Sequence, residues 1–81
     1  MKVQVRFYSQ LRDLAEIDEL HLDLPANSTV QDLLRTLYQR FPALGPHDKT
    51  ILVGAGVEFV DRDYKLKPGD DISVMPPVQG G

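Results

Sequence analysis

Polar and apolar residues alternate in two early segments of the chain. The first segment covers residues 2–8, and the second covers residues 19–24, where leucine occupies every other position. Because successive side chains of a strand point to opposite faces, this period of two predicts two strands that each bury one face. Pro25 ends the second strand, since proline has no backbone donor. Between the strands, Ser9 is expected to cap a short helix.

A longer helical pattern follows the second strand. Apolar residues recur at the spacing of one helix face, at Val30, Leu33, Leu34, Leu37, Tyr38 and Phe41. Ser28 is the expected N-cap of this helix, with Gln31 three residues later completing a capping box. Pro42 is expected to end the helix, because a residue before proline is disfavoured in helical geometry. The following Gly45-Pro46 pair predicts a loop.

The second half of the chain predicts shorter elements. Residues 51–53 are apolar and predict a buried strand, and the two glycines at residues 54–56 predict a turn into a short return strand at residues 57–60. Proline followed by glycine at residues 67–70 predicts another turn. Residues 71–75 alternate again and predict the last strand.

This order of elements is typical of an α+β domain of the β-grasp, or ubiquitin-like, class. We expect a small mixed sheet covered on one face by one main helix, with the usual right-handed crossover through that helix. The length of 81 residues leaves room for one small domain. We place the domain at residues 1–77 and a flexible C-terminal tail at residues 78–81.

Composition and charge exclude several classes of function. The chain has no cysteine, so it lacks disulfides, thiolate metal sites and a cysteine nucleophile. Its 9 basic residues are scattered against 12 acidic ones, for a net charge of -3, which argues against nucleic-acid binding. The N-terminal residues do not resemble a signal peptide, and no apolar run approaches a membrane span. We therefore expect a cytoplasmic protein without a membrane partner.

Histidines, acidic residues and serines do not form an evident catalytic or metal site. His21 and His47 lie in different predicted elements, so we expect no metal site. The acidic residues in segment 61–71 lack the spacing of a calcium loop. No serine has an evident base beside it in the sequence.

The C-terminal residues carry the most distinctive chemistry. Gly80 and Gly81 have no side chain, so the Gly81 carboxylate is sterically open and the backbone can pass through a narrow channel. Pro76 and Pro77 favour extended polyproline geometry and can project the tail as a stiff stem. The four residues after Pro77 reach roughly 13 to 14 Å, which is long enough to enter a partner's active site. A frayed terminus is the alternative interpretation of the two glycines alone.

Four segments together resemble the MoaD and ThiS sulfur-carrier family, which includes the small subunit of molybdopterin synthase. They are residues 7–14, residues 29–34, residues 66–72, which are similar to a Leu-x-x-Gly-Asp-Glu-Val turn, and residues 75–81, which are similar to a Phe-Pro-Pro-Val-x-Gly-Gly ending. The ending is the most specific of the four. The chain departs from the family pattern at Gly56, at Asp71 and at Met75, where Asn, Glu and an aromatic residue are usual.

The resemblance implies a mechanism and a set of partners. An activating enzyme would use ATP and magnesium to adenylate Gly81, and sulfur from a persulfide donor or sulfurtransferase would convert it to a thiocarboxylate. The large subunit of the synthase would then receive the tail and pass the sulfur to a pterin precursor. The chain itself would bind no cofactor. The residues that thread into the partner would be Gly80, Gln79, Val78, Pro77 and Pro76. Independently of the resemblance, we expect Met75 and Phe59 on the sheet face that the helix leaves uncovered, where an apolar patch would dock on a partner, and we expect Phe7 to dock as well.

Three other functions share parts of this pattern. A sulfur carrier of a thiamine or cysteine pathway would use the same thiocarboxylate, although the two prolines argue against the thiamine carrier. A ubiquitin-like modifier would use the same acyl adenylate to form an isopeptide bond with a lysine. A non-covalent interaction domain would tolerate the loss of Gly81.

Overall fold

The computed structural model describes residues 1–77, which form a five-stranded mixed sheet and two α-helices. In chain order the elements are β1 (Lys2–Phe7), α1 (Gln10–Ala15), β2 (Glu19–Asp23), α2 (Val30–Arg40), a 3-10 segment (Pro42–Thr50), β3 (Leu52–Ala55), β4 (Glu58–Phe59) and β5 (Asp71–Met75). The strand order is β2-β1-β5-β3-β4. β1 and β5 are parallel, and the other neighbouring pairs are antiparallel. This topology confirms the predicted β-grasp class.

The core lies between α2 and one face of the sheet. The strand register places Val5 beside Leu20 on β2 and beside Ile72 on β5, so that apolar rows cross the sheet on this covered face. The buried apolar side chains of the described residues are Val3, Val5, Phe7, Leu11, Ala15, Leu20, Leu22, Leu24, Val30, Leu33, Leu34, Leu37, Leu44, Ile51, Val53, Leu66, Ile72 and Val74. The period of two in the strands and the helical period in α2 therefore both identify core residues correctly.

The N-terminus of α2 begins one residue later than predicted. Thr29, not Ser28, is the N-cap: its hydroxyl accepts a bond of 3.3 Å from the Asp32 amide, and the Asp32 carboxylate accepts one of 2.9 Å from the Thr29 amide. Asp32 thus takes the role predicted for Gln31. Ser28 is buried and donates its hydroxyl to the Pro25 carbonyl. Backbone pairing between Thr29 and Lys65 keeps the chain extended up to Thr29, which explains the later start.

Three other local predictions are wrong in detail. Ser9 precedes α1, but it has a φ of 56° and its side chain makes no capping bond. The segment around Gly45 is not an open loop, because residues Pro42–Thr50 form 3-10 turns. β3 continues through Ala55, so the turn comes later, at Gly56, where the φ of 62° favours glycine.

Truncation of Leu37 is expected to destabilise the domain strongly. Leu37 is fully buried on the core face of α2, so Leu37→Ala removes apolar contacts and leaves a cavity. We expect a loss of about 2–5 kcal/mol in the free energy of unfolding, measured by urea denaturation. Arg35→Ala, on the exposed face of the same helix, is the matched control and should change it by less than about 0.5 kcal/mol. Equal effects of the two variants would contradict this assignment of the core.

Candidate functional site

The last strand, β5, ends at Met75 and leads in the sequence into the C-terminal tail. Met75 is paired with Leu52 at the start of β3, and on the other side the Tyr8 amide donates to the Val74 carbonyl at 3.2 Å. Pro76 and Pro77 follow and are partly buried. The root of the tail therefore lies between the end of β1 and the beginning of β3. The other predicted tail residues, Val78, Gln79, Gly80 and Gly81, lie outside the described residues, and the domain boundary at residue 77 stays a prediction.

The sheet face that α2 leaves uncovered carries an apolar patch beside this root. The patch consists of Leu52, Phe59 and Met75, and Phe59 is 68% exposed. Leu52 is paired with Met75, and Phe59 is paired with Gly54 two residues farther along β3, so these side chains share the open face. Gly54, Phe59 and Met75 line one depression there. Two of the three predicted docking residues, Phe59 and Met75, thus lie together near the root of the tail.

The third predicted docking residue, Phe7, lies in the core. Its side chain is 3% exposed and packs edge-on against Phe41, with ring centroids 5.7 Å apart. A docking surface on the open face is therefore made without Phe7. Tyr8, the next residue, is 44% exposed and donates its amide to the Val74 carbonyl, one residue before Met75. The alternation of residues 2–8 contained this information, because it assigns Phe7 and Tyr8 to opposite faces.

The other half of the open face is charged. Arg6 lies between two carboxylates, with its Nε atom 3.6 Å from Glu19 on β2 and 3.6 Å from Asp71 on β5. Gln4 donates to Glu19 from the same face at 2.8 Å. All these groups are close to solvent, so they contribute little to stability. These charged and polar side chains border the apolar patch on the side that faces away from β4.

A hydrogen-bonded cluster connects α2 with the end of the 3-10 segment. The Tyr38 hydroxyl donates to the Asp48 carboxylate at 2.5 Å, and Arg62 donates to the same carboxylate at 2.9 Å. The Tyr38 hydroxyl and Arg62 lower the pKa of Asp48 from its ordinary value of 3.8. Burial and then the Asp48 carboxylate raise the pKa of Tyr38 far above 10.0, so its hydroxyl stays a donor at any physiological pH.

The Asp48 carboxylate is expected to make the stability of the domain depend on pH. Because its pKa is lower in the folded chain than in the unfolded chain, its ionised form stabilises the fold above pH 3.8, and this contribution is lost as the pH falls below 3.8. The pKa of Asp32 is also lowered, chiefly by the Thr29 amide. The measurement is urea denaturation at a series of pH values from neutral to acidic. As the pH falls, the free energy of unfolding of Asp48→Asn should decrease less steeply than that of the unchanged chain, and Asp32 should still cause part of the decrease. Identical slopes would contradict this.

The described part of the chain offers no cluster for a metal ion. Within residues 1–77, no three His, Cys, Asp or Glu side chains come together as a metal-binding group. His21 lies exposed on β2, and His47 lies in the 3-10 segment. No helix in this range is both long enough and apolar enough to cross a membrane.

The chain is similar to known proteins over nearly its whole length. Residues 5–81 match the ThiS family. The molybdopterin synthase sulfur carrier subunit of Chlamydomonas reinhardtii is 30% identical over 83 residues, covering 100% of both chains. Its counterpart from Drosophila erecta is also 30% identical over 83 residues, covering 100% of this chain and 92% of the relative.

Solved structures agree with these relationships. A putative molybdopterin converting factor subunit 1 from Pyrococcus furiosus superposes with a TM-score of 0.88 at 29% identity, over 96% of this chain and 99% of that one. Subunit 1 in the complex of subunits 1 and 2 of the molybdopterin-converting factor from Helicobacter pylori has a TM-score of 0.71 at 26% identity, over 100% of both chains. With the family match covering residues 5–81 and the β-grasp topology agreeing, this chain belongs to the ThiS family.

Proposed function

We propose that this chain is the sulfur carrier subunit of a molybdopterin synthase and that the Gly81 carboxylate is its working group. The observation that carries the proposal is the position of the tail root. Met75 belongs both to the strand that leads into the tail and to the exposed apolar patch on the open face. A partner that binds the patch is therefore beside the residues from which the tail begins. The full-length similarity to sulfur carrier subunits supports the same assignment.

Loading of sulfur begins with activation of the carboxylate, which is by itself a poor electrophile. An activating enzyme that binds ATP and magnesium joins AMP to a Gly81 oxygen and releases pyrophosphate. The terminal sulfur of a persulfide on a sulfurtransferase attacks the acyl carbon and displaces AMP, which leaves an acyl disulfide. A second thiolate attacks the donor's sulfur in that disulfide. This step releases the Gly81 thiocarboxylate and forms a disulfide between the two thiols.

Delivery of sulfur takes place in a partner protein. The tail enters the large subunit of the synthase, where the thiocarboxylate sulfur attacks a carbon of the pterin precursor. The new C–S bond replaces a C–O bond, and the oxygen group leaves with the electron pair of that bond. Water then cleaves the resulting thioester at its acyl carbon, so the sulfur stays on the pterin and Gly81 regains its carboxylate. In this scheme the small chain supplies the reagent, and the large subunit supplies the catalytic groups. All of these steps belong in the cytoplasm.

Reconstitution from purified components tests this function. The chain, the activating enzyme, ATP, magnesium, a sulfurtransferase with its sulfur source, a reducing thiol, the large subunit and the pterin precursor should together form molybdopterin. Omission of the chain or of ATP should each prevent product formation. A complete mixture that loads another carrier of the family but yields no product with this chain would contradict the proposal.

A second candidate function is covalent modification of proteins. The structure of small archaeal modifier protein 1 from Methanosarcina acetivorans is 26% identical to this chain and has a TM-score of 0.81. The same Gly81 acyl adenylate could lose AMP to a lysine amine and form an isopeptide bond. Mass spectrometry of cellular proteins for lysines linked to Gly81 distinguishes the two functions. Abundant adducts that depend on Gly81 would favour the modifier.

A further inference from the structure

Arg62 forms a bridge between the β4–β5 connection and the chain just before β3. Its Nη1 atom donates to the Asp48 carboxylate at 2.9 Å, and its Nη2 atom donates to the Asp48 carbonyl at 2.6 Å and to the Ile51 carbonyl at 3.3 Å. Tyr38 fixes the same carboxylate from α2. The Arg62 side chain is 34% exposed, so the bonds are partly shielded from water. One planar guanidinium thus fastens the end of the 3-10 segment and the residue that precedes β3.

The fastened residues lie directly beside the root of the tail. Leu52 is paired with Met75 in the antiparallel ladder of β3 and β5. In the sequence, Ile51 comes immediately before Leu52, and Pro76 comes immediately after Met75. β3 itself has weak support on its outer side, because β4 contributes only Glu58–Phe59. The position of the first residues of β3 therefore depends on what holds Ile51 in place.

We propose that Arg62 is a positioning residue that sets the direction in which the tail leaves the domain. It acts through the carbonyl groups of Asp48 and Ile51, which fix the start of β3 against Met75 and Pro76. This inference rests on the proposed function, in which Gly81 must reach a reacting centre inside a partner.

Stiffness of the stem makes the direction of the root important. Pro76 and Pro77 hold extended geometry, so they carry an angular change at Met75 to the end of Pro77. For this two-residue stem of about 7 Å, a tilt of about 10° moves the point at which residues 78–81 begin by roughly 1 Å. A misplacement of about 1 Å at a reacting centre can lower a rate by about 100-fold. A loosened root therefore reduces the rate of reaction even where the domain still binds its partner.

Arg62→Lys is the most informative variant because it keeps the charge. An ammonium group is a point donor and cannot span the carboxylate and the two carbonyl groups as the guanidinium does. Tyr38→Phe removes one bond to Asp48 and leaves Arg62 unchanged, so it should act in the same direction but more weakly. Thr29→Ala is the stability control, since it removes the N-cap of α2 without touching the chain before β3.

Two measurements separate positioning from general stability. The first is the adenylation rate with saturating activating enzyme, together with the Kd for that enzyme. We expect Arg62→Lys to lower the rate constant by about 10-fold and to leave the Kd within about two-fold, because Phe59, the exposed residue of the patch, pairs with Gly54 and lies away from the loosened start of β3. The second is amide hydrogen exchange, which should accelerate at Leu52 and Met75 and stay unchanged at Val5 in the central strand.

The outcomes are distinct. A rate loss no larger for Arg62→Lys than for Thr29→Ala, or exchange that accelerates equally at Val5 and at Met75, would show that Arg62 is only a stabilising residue. If the unchanged chain is not adenylated at all, the proposed function fails. The exchange measurement does not depend on that function, and uniform exchange in Arg62→Lys would still overturn the role of Arg62 at the tail root.

Discussion

Deletion of Gly81 is expected to abolish sulfur loading and transfer completely while leaving the folded domain and its docking intact. The deletion removes the acyl carbon that is adenylated, and the new terminal carboxylate of Gly80 lies one residue, about 3.5 Å, short of the reacting position. Such a displacement exceeds the tolerance of a positioned reaction, because a misplacement of about 1 Å already costs about 100-fold, so we expect a loss of at least about 1000-fold. The measurement is single-turnover sulfur transfer to the pterin precursor in the large subunit.

Docking is the control for this deletion. Because the apolar patch lies within residues 52–75, the shortened chain should still bind the large subunit, with a Kd that reflects only the loss of tail contacts. It should also unfold at the same urea concentration as the full chain. Transfer that persists without Gly81 would contradict the assignment of the working group and would favour a non-covalent interaction domain.

Phe59→Asp is expected to abolish docking while leaving the fold intact. Phe59 is 68% exposed on β4, so the folded monomer should lose less than about 1 kcal/mol of stability. In the complex with the large subunit, Phe59→Asp would replace a buried aromatic side chain with a buried carboxylate that has no group to pair with. We expect the Kd for the large subunit to rise by at least about 30-fold, or about 2 kcal/mol, measured by calorimetry.

His21→Asp is the matched control for Phe59→Asp. His21 is exposed on β2, at the opposite edge of the same sheet face, and the substitution introduces the same charge. It should leave the Kd within about three-fold, since charges at a distance from an interface mainly change the rate of encounter. Equal losses of affinity for the large subunit in the two variants would show that the docking surface lies elsewhere on the molecule.

The sequence patterns predicted the sheet and the helix well because burial enforces their periods. A shift by one residue in β1 would expose Val3 and Val5, so the alternation leaves little freedom in which residues face α2. The same alternation places Phe7 inside and Tyr8 outside. The prediction that Phe7 docks on a partner disagreed with this period, and the period of two was the better guide.

Tertiary contacts decided the features that local patterns did not. Both Ser28 and Thr29 can cap a helix, and the choice between them depends on the pairing of Thr29 with Lys65, which lies far away in the sequence. The contacts of Asp48 with Tyr38 and Arg62 span 10 and 14 residues. No spacing rule connects them, because Asp48 and Arg62 by themselves resemble ordinary solvent-facing residues, and Tyr38 by itself is one residue of the apolar helix face. They are evident only once the 3-10 segment is folded against α2.

The intact mass of the chain after loading tests the central claim most directly. The purified chain is incubated with the activating enzyme, ATP, magnesium, a persulfide donor and a reducing thiol, beside a chain that lacks Gly81. We predict a mass gain equal to the exchange of one oxygen for one sulfur, located at Gly81 by fragmentation and absent from the shortened chain. An unchanged mass, with an activating enzyme that loads another carrier in the same mixture, would contradict the assignment of this chain as a sulfur carrier.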